Sequence, residues 1–369
     1  MNVKIAFLFK KDSHFKAVHA TALRLCAQYD CQSVFIGIDT DYCPINHKEI
    51  VYLQRDNLDC LVDYDYDYVV ACLGGYLLNF VIRRLANTQT KVISIFPGIV
   101  SHYQLDAFIS RLNADQVWLN SRADYELYSK ICKVLRIKNN GLLYGMSWIE
   151  NLNVPRNKPS CERGYKHAIF FEQTNIPNVI NNTDSFRRKL NLIFAKNRKV
   201  FFQYKVRDNT ELDFFVKLRQ DVDKHENVRI VKELDYKDVQ EADLYLSISS
   251  SALIEGLIYN KSVALISRYL ADAESREFFK GSGLYLKDIH LYREINANDK
   301  WLQYRVKEPE KFVVLKSIEK RYLDRPYNRN LMYHTLIGVI FFIRPNISIQ
   351  AITNKERIFK SIDYFNYGV

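Results

Sequence analysis

"LYLSISSSALIEGLIYNKSVALIS" (residues 244–267) holds an apolar run, three consecutive serines, a helix-like segment carrying Glu255, and a second apolar run. Serine is poor filler inside a strand but a good helix N-cap, and its hydroxyl and N–H groups suit an oxyanion. The stretch therefore reads as strand, serine-lined turn, helix, strand, the repeating unit of a parallel sheet.

The same alternation extends over most of the chain. In the first part, "KIAFLF", "SVFIGI", "YVVACL", "KVISIF" and "QVWLN" are short apolar runs separated by helix-like segments, the first running from His14 to Gln28. Nearly continuous apolar runs suit strands covered on both faces. "NLNVPRNKPSCERGYK" (residues 151–166) holds two prolines, a glycine and several charges without periodicity, and reads as a linker. The pattern then restarts with "HAIFFEQ", "KVFFQYKV", "VRIVK", "LYLSIS" and "SVALIS". At 369 residues, two α/β domains are expected. Open α/β sheets bind ligands beyond the carboxyl ends of their strands, so the informative residues should follow each apolar run.

Composition narrows the function classes. The 48% hydrophobic and 14% aromatic content supports real cores and excludes a disordered chain. A formal net charge of +11 favours anionic partners: nucleic acid, a membrane surface, or phosphorylated and carboxylated small molecules. No RNA- or DNA-binding motif accompanies it, so no nucleic-acid partner is expected. The seven cysteines form no CxxC pair, which argues against structural zinc and a disulfide framework and fits a reducing cytoplasm. The opening "MNVKIAFLFKKDSHF" carries too short an apolar run for an export signal. "LMYHTLIGVIFFI" (residues 331–343) falls short of the roughly 20 residues that span a bilayer. It reads as a buried helix or as one lying against the membrane surface.

Candidate site residues follow the expected strand ends. Ser249, Ser250 and Ser251 suit a phosphate, and Glu255, one turn deeper, suits the hydroxyls of a ribose. Lys205 and Arg207, two apart at a strand end, suit an anion clamp. Gln173 and Thr174 follow the first strand of the second domain. In the first domain, Gly74 and Gly75 permit close backbone approach, and Pro97 and Gly98 open a second strand-end loop. His102 is a candidate general base, with Asp12 and Ser13 competing for that place. "DYDYDY" (residues 63–68) precedes a strand instead of following one and reads as a solvated approach, so no metal site is expected. There is no P-loop, HExxH or GxSxG.

The two-domain layout with a serine-rich helix start resembles a glycosyltransferase of GT-B type. "SISSSALIEG" resembles the serine motif of bacterial sialyl- and Kdo-transferases, where the serines bind the phosphate of a CMP-sugar. In order, "FPGI", "RLNADQVWLNS", "FFEQTNIP" and "QYKVRDN" resemble a family of capsule glycosyltransferases that includes retaining transferases of pseudaminic acid, a nonulosonic acid. The His-Pro pair of sialyltransferases is missing, and "QYKVRDN" occupies its place.

The resemblance implies an α/β GT-B fold, two Rossmann-like domains facing a central cleft. Residues 1–153 would bind acceptor, 154–166 would link, and 167–325 would bind the nucleotide sugar. A helical segment, 326–369, would pack back on the first domain or on the membrane. The implied enzyme moves a nonulosonic acid, pseudaminic acid first, from a CMP-activated donor to a capsular polysaccharide, without metal or separate cofactor. Gln173, Thr174, Lys205, Arg207, the three serines and Glu255 would hold the donor. Ser13, Gly74, Gly75, Pro97, Gly98 and His102 would line the acceptor, with catalysis among His102, Asp12, Lys205 and Arg207. A lipid-linked acceptor implies a cytoplasmic enzyme held peripherally at the inner face of the plasma membrane. The residues leave open a CMP-Kdo, sialic or legionaminic donor, a UDP-sugar donor, a UDP-sugar epimerase, and a non-catalytic polysaccharide-binding or export-accessory protein. They also leave open retention or inversion.

Overall fold

The computed structural model describes residues 3–44, 50–150, 164–173, 183–207, 213–291 and 295–321. The chain divides into two units: the first comprises residues up to 151 and from 303 onward, the second residues 152–302. Most of the expected linker, Thr174 and the 331–343 segment lie outside the described residues.

In the first unit, β1 (Val3–Phe9), β2 (Cys31–Ile38), β3 (Ile50–Leu53), β4 (Tyr68–Ala71), β5 (Lys91–Ser94), β6 (Gln116–Leu119) and β7 (Gly141–Leu143) form one sheet in the order β3-β2-β1-β4-β5-β6-β7. Every pairing is parallel. The intervening helices are α1 (Asp12–Gln28), α2 (Cys60–Asp63), α3 (Gly75–Arg84), α4 (Leu105–Ile109) and α5 (Arg122–Val134). Strands β4 and β1 are buried almost throughout, as runs such as "YVVA" and "IAFLF" require. Ala6, Leu8, Val69 and Leu78 belong to one core layer, and Phe96, Phe108, Val117 and Tyr128 to another.

In the second unit, β8 (His167–Phe171), β9 (Phe201–Lys205), β10 (Val228–Val231), β11 (Leu244–Ser247) and β12 (Ser262–Leu265) form a parallel sheet in the order β10-β9-β8-β11-β12. Its helices are α6 (Thr183–Lys196), α7 (Asp213–Val222), α8 (Tyr236–Glu241), α9 (Ala252–Ile258) and α10 (Ala273–Phe278), and α11 (Asp299–Arg305) carries the chain back to the first unit. Phe170, Phe186, Phe194, Phe202 and Phe215 form the heart of its core. Asp235 and Asp238 close a reciprocal capping box on α8, and Asp272 caps α10.

Two features differ from the sequence reading. Strands β3 (IVYL) and β7 (GLL) are edge strands of only four and three residues with no fully buried position, too short for periodicity to announce them. The crossing back to the first unit comes at 303, not 325, because side chains far away in sequence fix it. Gln28 exchanges two hydrogen bonds with the main chain of Val313, at 2.8 and 3.0 Å. The main-chain N–H groups of Val92 and Arg321 both donate to the buried Asp115 carboxylate, at 2.6 and 2.5 Å. Between these anchors, Met146 N–H donates to Lys307 O at 3.0 Å and Glu310 N–H to Tyr144 O at 2.8 Å. The two segments touch at Gly145, whose φ of +106° and contact with Glu308 O admit no side chain.

Two glycines are therefore expected to be indispensable for packing. Gly145→Ala should destabilise the first unit by at least about 1–3 kcal/mol, since the new methyl group meets backbone. Urea unfolding should show this, and an unchanged midpoint would contradict it. At Gly256 a Cβ would lie 2.7 Å from the Tyr245 ring and 3.0 Å from Val263. Gly256→Ala should thus lift α9 off its sheet and lower the midpoint of the second unit, read by hydrogen exchange in β11 and β12.

Candidate functional site

The second unit's chain runs outward from β8 through β9 to β10, then crosses to β11 and β12 on the other side. The reversal lies between β8 and β11, and the crevice beyond such a switch point is where open α/β sheets bind ligands. Gln173 follows β8 and Ser249 follows β11, and the fold brings them into contact. Gln173 Oε1 accepts from Ser249 N–H at 2.7 Å, from Ser249 Oγ at 3.1 Å and from Ser247 Oγ at 3.2 Å. Ser247 Oγ also lies 2.9 Å from Phe171 O.

The three serines are consequently not equivalent. Ser249 is buried and positions the loop. Ser250 Oγ accepts from Ala252 N–H at 3.2 Å and shapes the turn. Ser251 occupies the N-cap of α9 without a side-chain capping bond and is half-buried. Glu255, also half-buried, lies one turn into α9, close enough to Tyr245 to help burial push that phenol's pKa up.

Glu172, one residue before Gln173, is a buried hub. Its carboxylate accepts from Arg219 Nε at 3.1 Å and Nη2 at 2.5 Å, from Tyr204 Oη at 2.8 Å and from Arg207 N–H at 3.0 Å. A buried carboxylate needs this degree of pairing. The expected Lys205–Arg207 clamp is replaced by another arrangement. The Lys205 ammonium donates to Val206 O at 3.0 Å and to Lys232 O, tying β9 to the residue after β10. Strand-end carbonyls beside an edge strand lack ladder partners, and the ammonium supplies one. Arg207 is exposed, with its main chain held by Glu172 and Arg219.

In the first unit the reversal lies between β1 and β4. Asp12 is exposed and Ser13 half-buried in the first turn of α1. Gly74 is the exposed N-cap of α3, and Gly75 has φ +54°, in the left-handed region that glycine favours. Pro97 and Gly98 are half-buried beyond β5, where Asn120 Nδ2 donates to Gly98 O at 3.0 Å. His102, on the same loop, is buried, with Nε2 3.5 Å from Oδ1 of the buried Asp124. His102 and Asp12 are not brought to the same strand end: one follows β5, the other β1, with β4 between.

Sequence reasoning passed over Arg111. This guanidinium is 5% exposed and stacks on the Phe96 ring, 4.1 Å from its centroid. Its signal was a lone cation inside the apolar spacing of Leu105, Phe108, Ile109 and Leu112. Arg111 Nη1 donates to Ala107 O at 2.6 Å and Nη2 to Leu73 O at 2.9 Å. Burial lowers its pKa to about 10, so it remains a cation at neutral pH. Nearby His14, whose Nδ1 is buried, is lowered to about 4 by burial and by the charges of Arg111, Lys11 and Lys10, against Asp12.

Among the described residues, no group of three or more His, Cys, Asp or Glu side chains could hold a metal. No described helix is long and apolar enough to cross a membrane.

Solved structures share this architecture. The "putative UDP-N-acetylglucosamine 2-epimerase" of Listeria monocytogenes is 11% identical with a TM-score of 0.56, over 82% of this chain and 86% of its own. The UDP-GlcNAc 2-epimerase of Methanocaldococcus jannaschii is 9% identical with a TM-score of 0.53, over 84% and 93%. That of Neisseria meningitidis, solved bound to UDP-GlcNAc, is 12% identical with a TM-score of 0.51, over 79% and 88%. At such identities the likeness speaks for the fold, an α/β fold of GT-B type. No curated protein matches the sequence. One family model does, over residues 44–313, well over half the chain, and the chain therefore belongs to the family described as "Putative glycosyltransferase (DUF6716)".

Proposed function

We propose that the protein transfers a nonulosonic acid, pseudaminic acid first, from its CMP-activated form to a surface polysaccharide acceptor. The observation that carries this reading is the tie between Gln173 and Ser249 at the switch point of the second sheet. It holds two strand-end loops together, and in this reading the half-buried Ser250 and Ser251 border the crevice. In this reading the single phosphate of CMP sits on those hydroxyls and nearby loop amides, and Glu255 accepts from the ribose hydroxyls. Lys205 braces the strand ends, and the exposed Arg207 is the cation available to the sugar carboxylate.

The chemistry requires the bond between the anomeric carbon and the phosphate oxygen to break as the acceptor oxygen bonds to that carbon. Negative charge grows on the departing CMP, and fixed donors aimed at the phosphate stabilise it. With retention, the phosphate takes the acceptor proton on the same face, so the chain need not supply a base there. Inversion would call for one, and the His102–Asp124 pair is the buried candidate, with Asp124 orienting the ring. A lipid-linked acceptor and the +11 charge together suit a peripheral position at an anionic membrane.

Calorimetric titration with CMP and UDP tests the donor. CMP should bind more tightly. Ser251→Ala should weaken it by about tenfold, the loss of one hydrogen bond to a charged group. Ser249→Ala should instead lower stability by releasing Gln173. Tighter binding of UDP would reject the CMP donor. Turnover of a UDP-sugar without acceptor would make the protein an epimerase, and no binding of either nucleotide would sink the enzyme reading.

A further inference from the structure

The switch point of the first unit contains a buried cation that no carboxylate among the described residues meets in an ion pair. Arg111 donates to two main-chain carbonyls, and its Nε–H is buried with no hydrogen-bond partner among the described residues. Ser110 Oγ, at 3.5 Å from Nη1, is its one side-chain contact of this kind. No described carboxylate forms an ion pair with it. The groups whose negative charge would favour it are Cys72, Asp106 and Tyr128. Burial pushes the Cys72 thiol and the Tyr128 phenol far up, so both are neutral at pH 7. Among the described residues that leaves Asp106 as the group whose charge favours the cation.

The fork faces an exposed backbone position. A Cβ on Gly74 would stand in ordinary contact with Arg111, 3.5 Å from both Nη1 and Nη2, and Gly74 is itself exposed. Glycine thus leaves a seat beside the fork that no side chain covers. At Gly75 nothing lies within 4 Å of where a Cβ would be. Gly74 also caps α3, a helix of 10 residues whose first N–H groups lack intrahelical partners. Asn79 fixes the arrangement, donating to Gly75 O at 3.0 Å and to Ser110 O at 2.8 Å. The helix start and the arginine are thereby held in one place.

We infer that the seat over Gly74, formed by the Arg111 fork and the first turn of α3, is an oxyanion site for a carboxylate or phosphate group on the second substrate. A planar fork and a ring of N–H donors suit either anion. The site stands on the first unit alone. Only the word "substrate" rests on the transferase reading: an acidic sugar at the acceptor end would bring a carboxylate, and a lipid-linked acceptor a phosphate.

The test follows the Arg111 Nε–H resonance in full-length protein labelled with 15N-arginine, assigned through Arg111→Lys. Inorganic phosphate and glucuronate are titrated separately, at constant ionic strength in chloride. A saturable shift with either anion is expected. Response to phosphate alone assigns a phosphate-bearing ligand, and response to glucuronate alone assigns a carboxylate. Gly74→Ala fills the seat without a clash and with an extended φ of −146°, so its thermal midpoint should hold while anion affinity falls at least tenfold. If Arg111→Lys fails to fold, the decision passes to any arginine Nε–H resonance that shifts saturably with an anion: loss of that shift in Gly74→Ala supports the site, and its persistence overturns it. A resonance that ignores both anions overturns the site, as does a response that Gly74→Ala leaves intact. If CMP and UDP fail to bind but the Arg111 signal answers an anion, the donor reading falls and this site stands.

Discussion

A parallel sheet covered on both faces leaves its polar chemistry to the strand ends, and that constraint organises both halves of this protein. Strands β1, β4, β8 and β11 are apolar and buried along nearly their whole length. Just beyond their ends stand Lys10 and Lys11, Gly74 and Gly75, Glu172 and Gln173, and Ser249 to Ser251. Each sheet reverses direction once, and at each reversal two such ends lie side by side. In the second unit the neighbours are joined by Gln173 and Ser249, in the first by Arg111 reaching the carbonyl of Leu73.

This constraint also explains what could be read from the sequence. Strands β8, β11 and β12 of the second sheet are visible as apolar runs, because burial on both faces forbids alternation, whereas β10 at the edge carries the exposed Arg229 within "VRIV". The serine turn is visible because three hydroxyls interrupt such a run. Which serine does what is not visible, since it depends on Gln173, 76 residues away. The Lys205 ammonium was equally hidden: strand periodicity places it, but carbonyls freed by the neighbouring edge strand decide where it points. The return of the chain at 303 depends on Gln28 and Asp115, and no local change in composition marks it.

Two cations near the strand ends, the half-buried Arg219 and the buried Arg111, show opposite electrostatic solutions. Arg219 meets Glu172 through both carboxylate oxygens, and Tyr204 and Arg207 N–H complete the set. That cluster is closed: each oxygen is occupied, and a ligand would have to break it. Its position under Gln173 makes it a brace for the strand end above. A fixed brace of this kind keeps neighbouring binding groups in place without touching the ligand.

Arg111 is the open case. Carbonyl oxygens and the Phe96 face ease its burial, yet no described carboxylate pairs with it. Burying a charge without a partner costs several kcal/mol. A protein tuned only for stability would gain from methionine or leucine among Phe96, Phe108 and Leu112. The arrangement is reasonable if the missing negative charge arrives with a ligand, because the desolvation has then been met during folding. The anion finds donors already dry and fixed. Gly74 fits the same logic, since a side chain there would lie against both Nη1 and Nη2 and cover the fork while adding nothing to the core.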